Sequence, residues 1–308
     1  MAKNPNKIKQ KRVMSDWVMD TIFIIVIITV FVMVLYPFLN ALAISLNDSN
    51  DTARGGITIY PRVFSTRNYE LVFTNEKVYN GLIVSVARTV IGTLGGLLIT
   101  GALGFGLSRT NLVGKKFYTF FCLIPMYFGG GLIPTYFLIR ELGLFDSFWV
   151  YIIPSLVNLW NMILMRSYFQ SLPEALEESA RIDGANYLTI FFKIYMPLST
   201  PIIATIALYF GVQHWNDWYA ASVYVNDQSL KPIQTVLMSI VNEAAYAERM
   251  AAMGANASDI ANAAKGKNVN VRSITMATMF VTIIPIVIVY PFLQRYFVKG
   301  IMIGSVKG

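Results

Sequence analysis

The sequence predicts an all-α polytopic membrane protein with six transmembrane helices, and three observations point that way. The chain has 308 residues, of which 55% are apolar and only 14% charged, against about 25% charged in a soluble domain, and its mean hydropathy is +0.53. Asp, Glu, Lys and Arg are absent from six windows that approach or exceed the ~20 residues needed to cross ~30 Å of hydrocarbon as helix. Basic residues are modestly more numerous in the segments that would share one side of the membrane and concentrated in the short N-terminal arm, as the positive-inside rule leads one to expect.

The charge-free windows run 21–47, 89–108, 117–139, 147–165, 194–216 and 273–294. An ionisable side chain in hydrocarbon costs several kcal/mol, so such windows mark spans. The second span is extended back to about 80–108 and so takes in Arg88. The first window is too long for a signal h-region of about 7–15 residues and lacks a clear cleavage site, so it reads as a permanent span. Lys3, Lys7, Lys9, Lys11 and Arg12 fill the N-terminal arm, which places both termini in the cytoplasm. The expected organisation is an arm at 1–20, a single transmembrane domain at 21–298 and a cytoplasmic tail at 299–308. Within the domain, an inner loop spans 166–193 and an outer loop 217–272. Residues 243–266 of the outer loop, rich in Ala, Met and Asn, suit either a short surface helix or a mobile insert.

The formal net charge of +8 is explained largely by membrane insertion. No basic helix or aromatic platform accompanies the lysines, so nucleic acid is not an expected partner; membrane lipid is. A single cysteine, Cys122, and a single histidine, His214, exclude an internal disulfide framework, a multi-thiolate metal site and a histidine cluster.

The inner loop carries the most information. Ser171 and Glu174 have capping-box spacing, Pro173 is tolerable in a first turn, and Glu174, Glu177 and Glu178 sit where the helix dipole favours acids. Glu177 and Arg181 form an i,i+4 pair, and Gly184 can leave the helix without strain. The pattern predicts a helix over about 173–183 and a second starting near Asn186 or Tyr187. One face of the first holds Leu176, Ser179, Ala180 and Asp183, whose small side chains allow close approach of another protein. Its negative charge is the wrong sign for anionic lipid, which favours a docking helix over a connector lying on headgroups.

Glu178-Ser179-Ala180, then Asp183-Gly184-Ala185, then Ile194-Tyr195-Met196-Pro197 resembles the EAA motif of the permease subunits of ATP-binding-cassette importers: E-A-A, a Gly three residues on, nine residues, then I-x-L-P. The spacing matches throughout, with Ser179 in place of Ala and Met196 in place of Leu. Leu107-Ser108-Arg109, Trp215-Asn216-Asp217-Trp218, Lys231-Pro232 and the tail from Gln294 to Gly300 extend the resemblance to the carbohydrate-uptake branch, related to the smaller maltose permease subunit. The resemblance implies a type I importer fold in the cytoplasmic membrane of a prokaryote. It implies a coupling helix seated in a groove of a cytoplasmic ATPase, with Glu178 facing basic groups, Ala180 in close contact, and Gly184 at the turn. It also implies a second homologous permease chain, two ATPase subunits that hold ATP and Mg, an extracellular solute-binding protein or lipoprotein, and a sugar, an oligosaccharide, as cargo. The sequence has no G-x-x-x-x-G-K-[ST], so the energy source lies outside this chain, and no cofactor or catalytic role is expected here.

Within the spans, Ser155, Asn158 and Asn161 share one helix face and Tyr209, Gln213 and Asn216 another. Intramembrane amides face protein or a wet cavity. Asn158, Asn161, Tyr209 and Gln213 are therefore candidates for the substrate path, beside Trp160 and Tyr151, with interhelical bonding as the commoner use. Arg88 is expected to snorkel to the interface, His214 to be interfacial, Cys122 to be an apolar filler, and Pro154 and Pro285 to mark kinks. An ion-driven transporter lacks its intramembrane carboxylates, and an intramembrane hydrolase lacks its catalytic set. An importer of amino acids, peptides or other small polar solutes is the alternative within the same class.

Overall fold

The computed structural model describes residues 14–252 and 270–305, and every named element among them is helical. Helices α1 (Met14–Ser45) and α2 (Glu76–Ser108) run unbroken. The third window divides into α3 (Lys115–Tyr127) and α4 (Leu132–Glu141), bent by 115°. The fourth divides into 3-10 turns over Phe148–Ser155 and α5 (Leu159–Gln170), bent by 45°. A short α6 (Ala175–Ile182) precedes α7 (Tyr187–Leu198), which meets α8 (Thr200–Asn216) at 88°. Finally α9 (Ile233–Ala252) leads to α10 (Val271–Ser305). Among the described residues three helices are long and apolar enough to cross a bilayer, and up to six crossings result if each bent pair is one span.

Hydropathy reports that a window is apolar, not that its helix is straight, and local chemistry explains each bend. Between α3 and α4 lie Gly129, Gly130 and Gly131, the last at φ +83°, a backbone state that costs an L-residue about 1–2 kcal/mol. In the fourth window, Pro154 sits in the 3-10 turn and Asn158 starts a fresh helix, its side chain accepting from the Asn161 N–H at 3.0 Å. Pro197 and Pro201 flank the break at Ser199. The Thr200 hydroxyl donates to the Pro197 carbonyl there at 2.7 Å, in place of the N–H that Pro201 lacks. Pro285 lies inside α10, which continues through it as helix.

Lipid is as apolar as leucine, so helices in a bilayer associate through close packing rather than burial. Helix α2 illustrates this: its glycines let three other helices approach. A Cβ on Gly96 would lie 2.7 Å from the Phe210 ring of α8, and one on Gly104 would lie 3.2 Å from the Met162 carbonyl of α5. At Gly81 the backbone of Ile233, at the start of α9, would come within 3.1 Å. By contrast α1 is exposed from Trp17 to Leu39.

The core forms three clusters. One joins Phe105, Met165, Phe169, Phe191, Tyr195 and Phe210. Another gathers Tyr151, Ile152, Tyr224 and Val225, and the third Val72, Trp215, Ile233, Ala277 and Val281. The connection after α8 is part of this framework. Ile233 donates its N–H to Ser85 at 2.9 Å, Tyr151 donates to the Leu230 carbonyl at 2.9 Å, and Trp215 donates to the Thr282 carbonyl at 3.1 Å. Of the Ala-, Met- and Asn-rich stretch 243–266, the part up to Ala252 is helix α9, and the remainder lies outside the described residues, as does the arm before Met14.

Two expectations are overturned. Arg88 does not snorkel: it is 0% exposed and is held by Asp217, as ion pair and through the Asp217 carbonyl, with its guanidinium 5.2 Å from the Tyr151 ring centre. A nearby partner supplied by the chain beyond α8 removes the reason to reach for water. His214 is not interfacial either. It is buried between α2 and α8, lying against Gly92 and stacked on Phe210 at 6.4 Å. Cys122 is half-buried in α3.

Candidate functional site

The segment from Leu172 to Pro197 forms a helix, a sharp elbow and a second helix. Helix α6 has no buried residue. It does not start with the expected capping box: Ser171 donates to its own preceding turn, at Tyr168, and Glu174 makes no side-chain cap. Pro173 and the acids of the first turn, Glu177 and Glu178, are what remain of the start signal.

Its end is a Schellman motif. The Gly184 N–H bonds the Arg181 carbonyl at 3.0 Å, the Ala185 N–H bonds the Ala180 carbonyl at 2.9 Å, and Gly184 has φ +80°. These are the 5→2 and 6→1 bonds that satisfy the last carbonyls of a helix. Ala180 and Ala185 both pack against the cluster of Phe105, Phe169 and Tyr195, the apolar contact that accompanies this motif. Asn186 then starts α7, accepting from the Thr189 N–H at 2.8 Å. The residues of the quoted motif therefore have distinct structural uses. Ala180 and Ala185 seat the elbow, Gly184 turns it, and Pro197 sits at the bend into α8. Glu178, Ser179 and Asp183 are exposed, as are Leu176 and Ile182, the latter at 86%.

Glu177 does not pair with Arg181. It pairs with Arg109, the residue that ends α2, while Arg181 lies over the Tyr187 ring at 5.5 Å. Arg109 also donates to the Tyr195 hydroxyl at 3.0 Å and to the Ser108 hydroxyl at 2.8 Å. Its guanidinium lies in the angle between two touching rings, 4.5 Å from the centre of Phe105 and 4.4 Å from that of Tyr195, the rings being 4.9 Å apart and inclined at 68°. The planar, weakly hydrated guanidinium suits such an aromatic, multiply bonded position, and a cation at the C-terminal end of α2 is favoured by the helix dipole. A cleft of about 770 Å³ opens beside this group, lined by Arg109, Asn111, Glu174, Glu178 and Tyr187 among others. In the sequence Leu107-Ser108-Arg109 carries only a family resemblance, because the partner of Arg109 lies 68 residues away, beyond any local spacing rule.

The four path candidates separate into two pairs. Asn158 caps α5 and donates its backbone N–H to the Thr100 hydroxyl at 3.3 Å, while Asn161 is buried. Tyr209 and Gln213 are exposed on α8. Ser155 bonds the carbonyls of Tyr151 and Ile152, each at 2.9 Å.

No family model matches the chain. It is 39% identical to the polygalacturonan/rhamnogalacturonan transport system permease protein YtcP of Bacillus subtilis (strain 168), over 88% of this chain and 92% of that protein. It is 36% identical to Protein LplC of the same organism, over 88% and 89%. A solved bacterial ABC transporter involved in the import of the acidic polysaccharide alginate contains a chain with the same fold. Its TM-score is 0.82 at 27% identity, and the match covers 94% of this chain and 100% of that one. Bent apolar helices around a central α2, with a short exposed helix at an elbow, thus define a multi-pass membrane permease. The chain belongs to the carbohydrate-uptake permeases of ATP-binding-cassette transporters.

Proposed function

We propose that this chain is one of two homologous permease subunits of an importer, crossing the cytoplasmic membrane six times with both termini inside. The single transmembrane domain would be residues 21–298, flanked by the arm and the tail. In this reading α6 is a coupling helix that sits in a groove of a separate ATPase subunit, two of which hold Mg and hydrolyse ATP outside this chain, and an extracellular binding protein delivers the cargo. The observation that carries it is the surface of α6: Leu176 and Ile182 exposed beside Glu178, Ser179 and Asp183, on a helix tied to the bundle through Ala180 and Glu177. Exposed apolar groups rimmed by acids suit a partner with an apolar groove and basic margins.

The cargo in this reading is an oligosaccharide, since YtcP is named for polygalacturonan/rhamnogalacturonan transport and the solved transporter is involved in the import of the acidic polysaccharide alginate. Tyr209 and Gln213, exposed on α8, are the residues proposed to line its path, with Asn158 and Asn161 serving the local structure. Calorimetric titration of the binding protein encoded beside this chain tests the assignment. Binding of oligogalacturonides or other oligosaccharides is expected, and binding of amino acids or peptides with no saccharide binding contradicts it.

A further inference from the structure

The attachment of α6 to the bundle is narrow. Ala180 and the elbow residue Ala185 touch the aromatic cluster, and Glu177 is the α6 side chain that bonds out of the helix, to Arg109 and at 3.5 Å to the Tyr195 hydroxyl. Arg109 in turn closes α2, the helix against which α5, α8 and α9 pack. Its side chain is only 14% exposed and that of Glu177 16%, so water competes weakly for the pair. The inclined pair of rings, Phe105 and Tyr195, bounds the guanidinium on one side, and the Tyr195 and Ser108 hydroxyls fix its orientation. A charge-assisted bond in a fixed, shielded geometry transmits displacement, whereas a solvated surface pair does not.

We propose that Arg109 is a positioning residue that ties α6 to the end of α2 through Glu177 and Tyr195, so that movement of α6 is passed to α2 and the helices packed on it. The proposal rests on the coupling-helix reading and adds to it the route by which motion enters the bundle. Lysine cannot reproduce the planar fork that reaches Glu177, Tyr195 and Ser108 together, so it should serve only in part.

The test uses the assembled transporter, with both permeases, the ATPases and the binding protein, in proteoliposomes, and reads sugar transported per ATP hydrolysed. Arg109→Gln and Glu177→Gln are each expected to lower that ratio at least about fivefold while assembly and ATP hydrolysis stay within about twofold, with Arg109→Lys intermediate. In a Cys122→Ser background, Arg109→Cys with Glu177→Cys is expected to lose the ratio and to regain it when a short bismaleimide bridges the two cysteines. An unchanged ratio in the single variants overturns the proposal. So does a lowered ratio that neither Arg109→Lys nor the bridge restores, because that pattern marks local damage rather than a lost link. Glu178→Lys separates the two readings. If it uncouples while the Arg109 variants do not, only the link fails. If it too leaves the ratio unchanged, the coupling-helix reading fails.

Discussion

Arg88 on α2 and Asp217 just past α8 are joined inside the bundle, with guanidinium and carboxylate 3.8 Å apart and the Asp217 carbonyl accepting a further bond. The Arg88 side chain is 1% exposed and that of Asp217 34%, so the arginine depends on its partner far more than the reverse. Asp217→Ala leaves a buried charge half-unpaired and is expected to destabilise the permease by about 2–3 kcal/mol, somewhat below a wholly buried pair. Arg88→Met, which removes the charge and keeps the bulk, is expected to cost less. Thermal unfolding of the purified transporter in detergent ranks the two; a larger loss for Arg88→Met would mean that the arginine contributes more than its desolvation cost.

Gly92 faces the His214 ring so closely that a Cβ would overlap it. Gly92→Ala is expected to lower stability by about 1–3 kcal/mol through overpacking, and His214→Ala in the same chain to recover part of the loss. A double-mutant cycle on melting temperature checks this, and additive effects would place the two residues out of contact.

At Gly184 no atom lies within 4 Å of a built Cβ, so only its backbone φ of +80° resists substitution. Gly184→Ala is expected to cost about 1 kcal/mol of local helix-end stability, and Gly184→Asn less, since Asn tolerates that conformation. Hydrogen exchange at the amides of α6 and the elbow reads the difference. Equal protection in both variants would show that the turn is not held by this residue.

What was legible in the sequence followed from local rules. Charge-free windows located the apolar helices, and Gly184 and Asn186 gave the end of one short helix and the start of the next. What escaped was non-local or directional. Glu177 has a plausible partner four residues on in Arg181, yet the tertiary fold supplies a better one in Arg109. Arg88 and His214 looked interfacial because span ends were counted along the chain. Asp217, just past α8, folds back onto Arg88, and α2 closes over His214 at Gly92. The bends at Gly131, Asn158 and Ser199 were invisible to a hydropathy average, although the Gly-Gly-Gly run and the two prolines around Ser199 were there to be read.

The central claim, that α6 is the part through which an external ATPase drives this permease, is tested most directly by binding-protein-dependent sugar uptake into vesicles carrying Glu178→Lys. Glu178 is exposed and has no role in the Schellman turn or the Arg109 pair, so insertion and folding are expected to remain intact. Uptake is expected to fall at least about tenfold, as befits a reversed charge at a docking surface. Uptake at the unsubstituted rate, with the variant correctly inserted and assembled, would contradict the account.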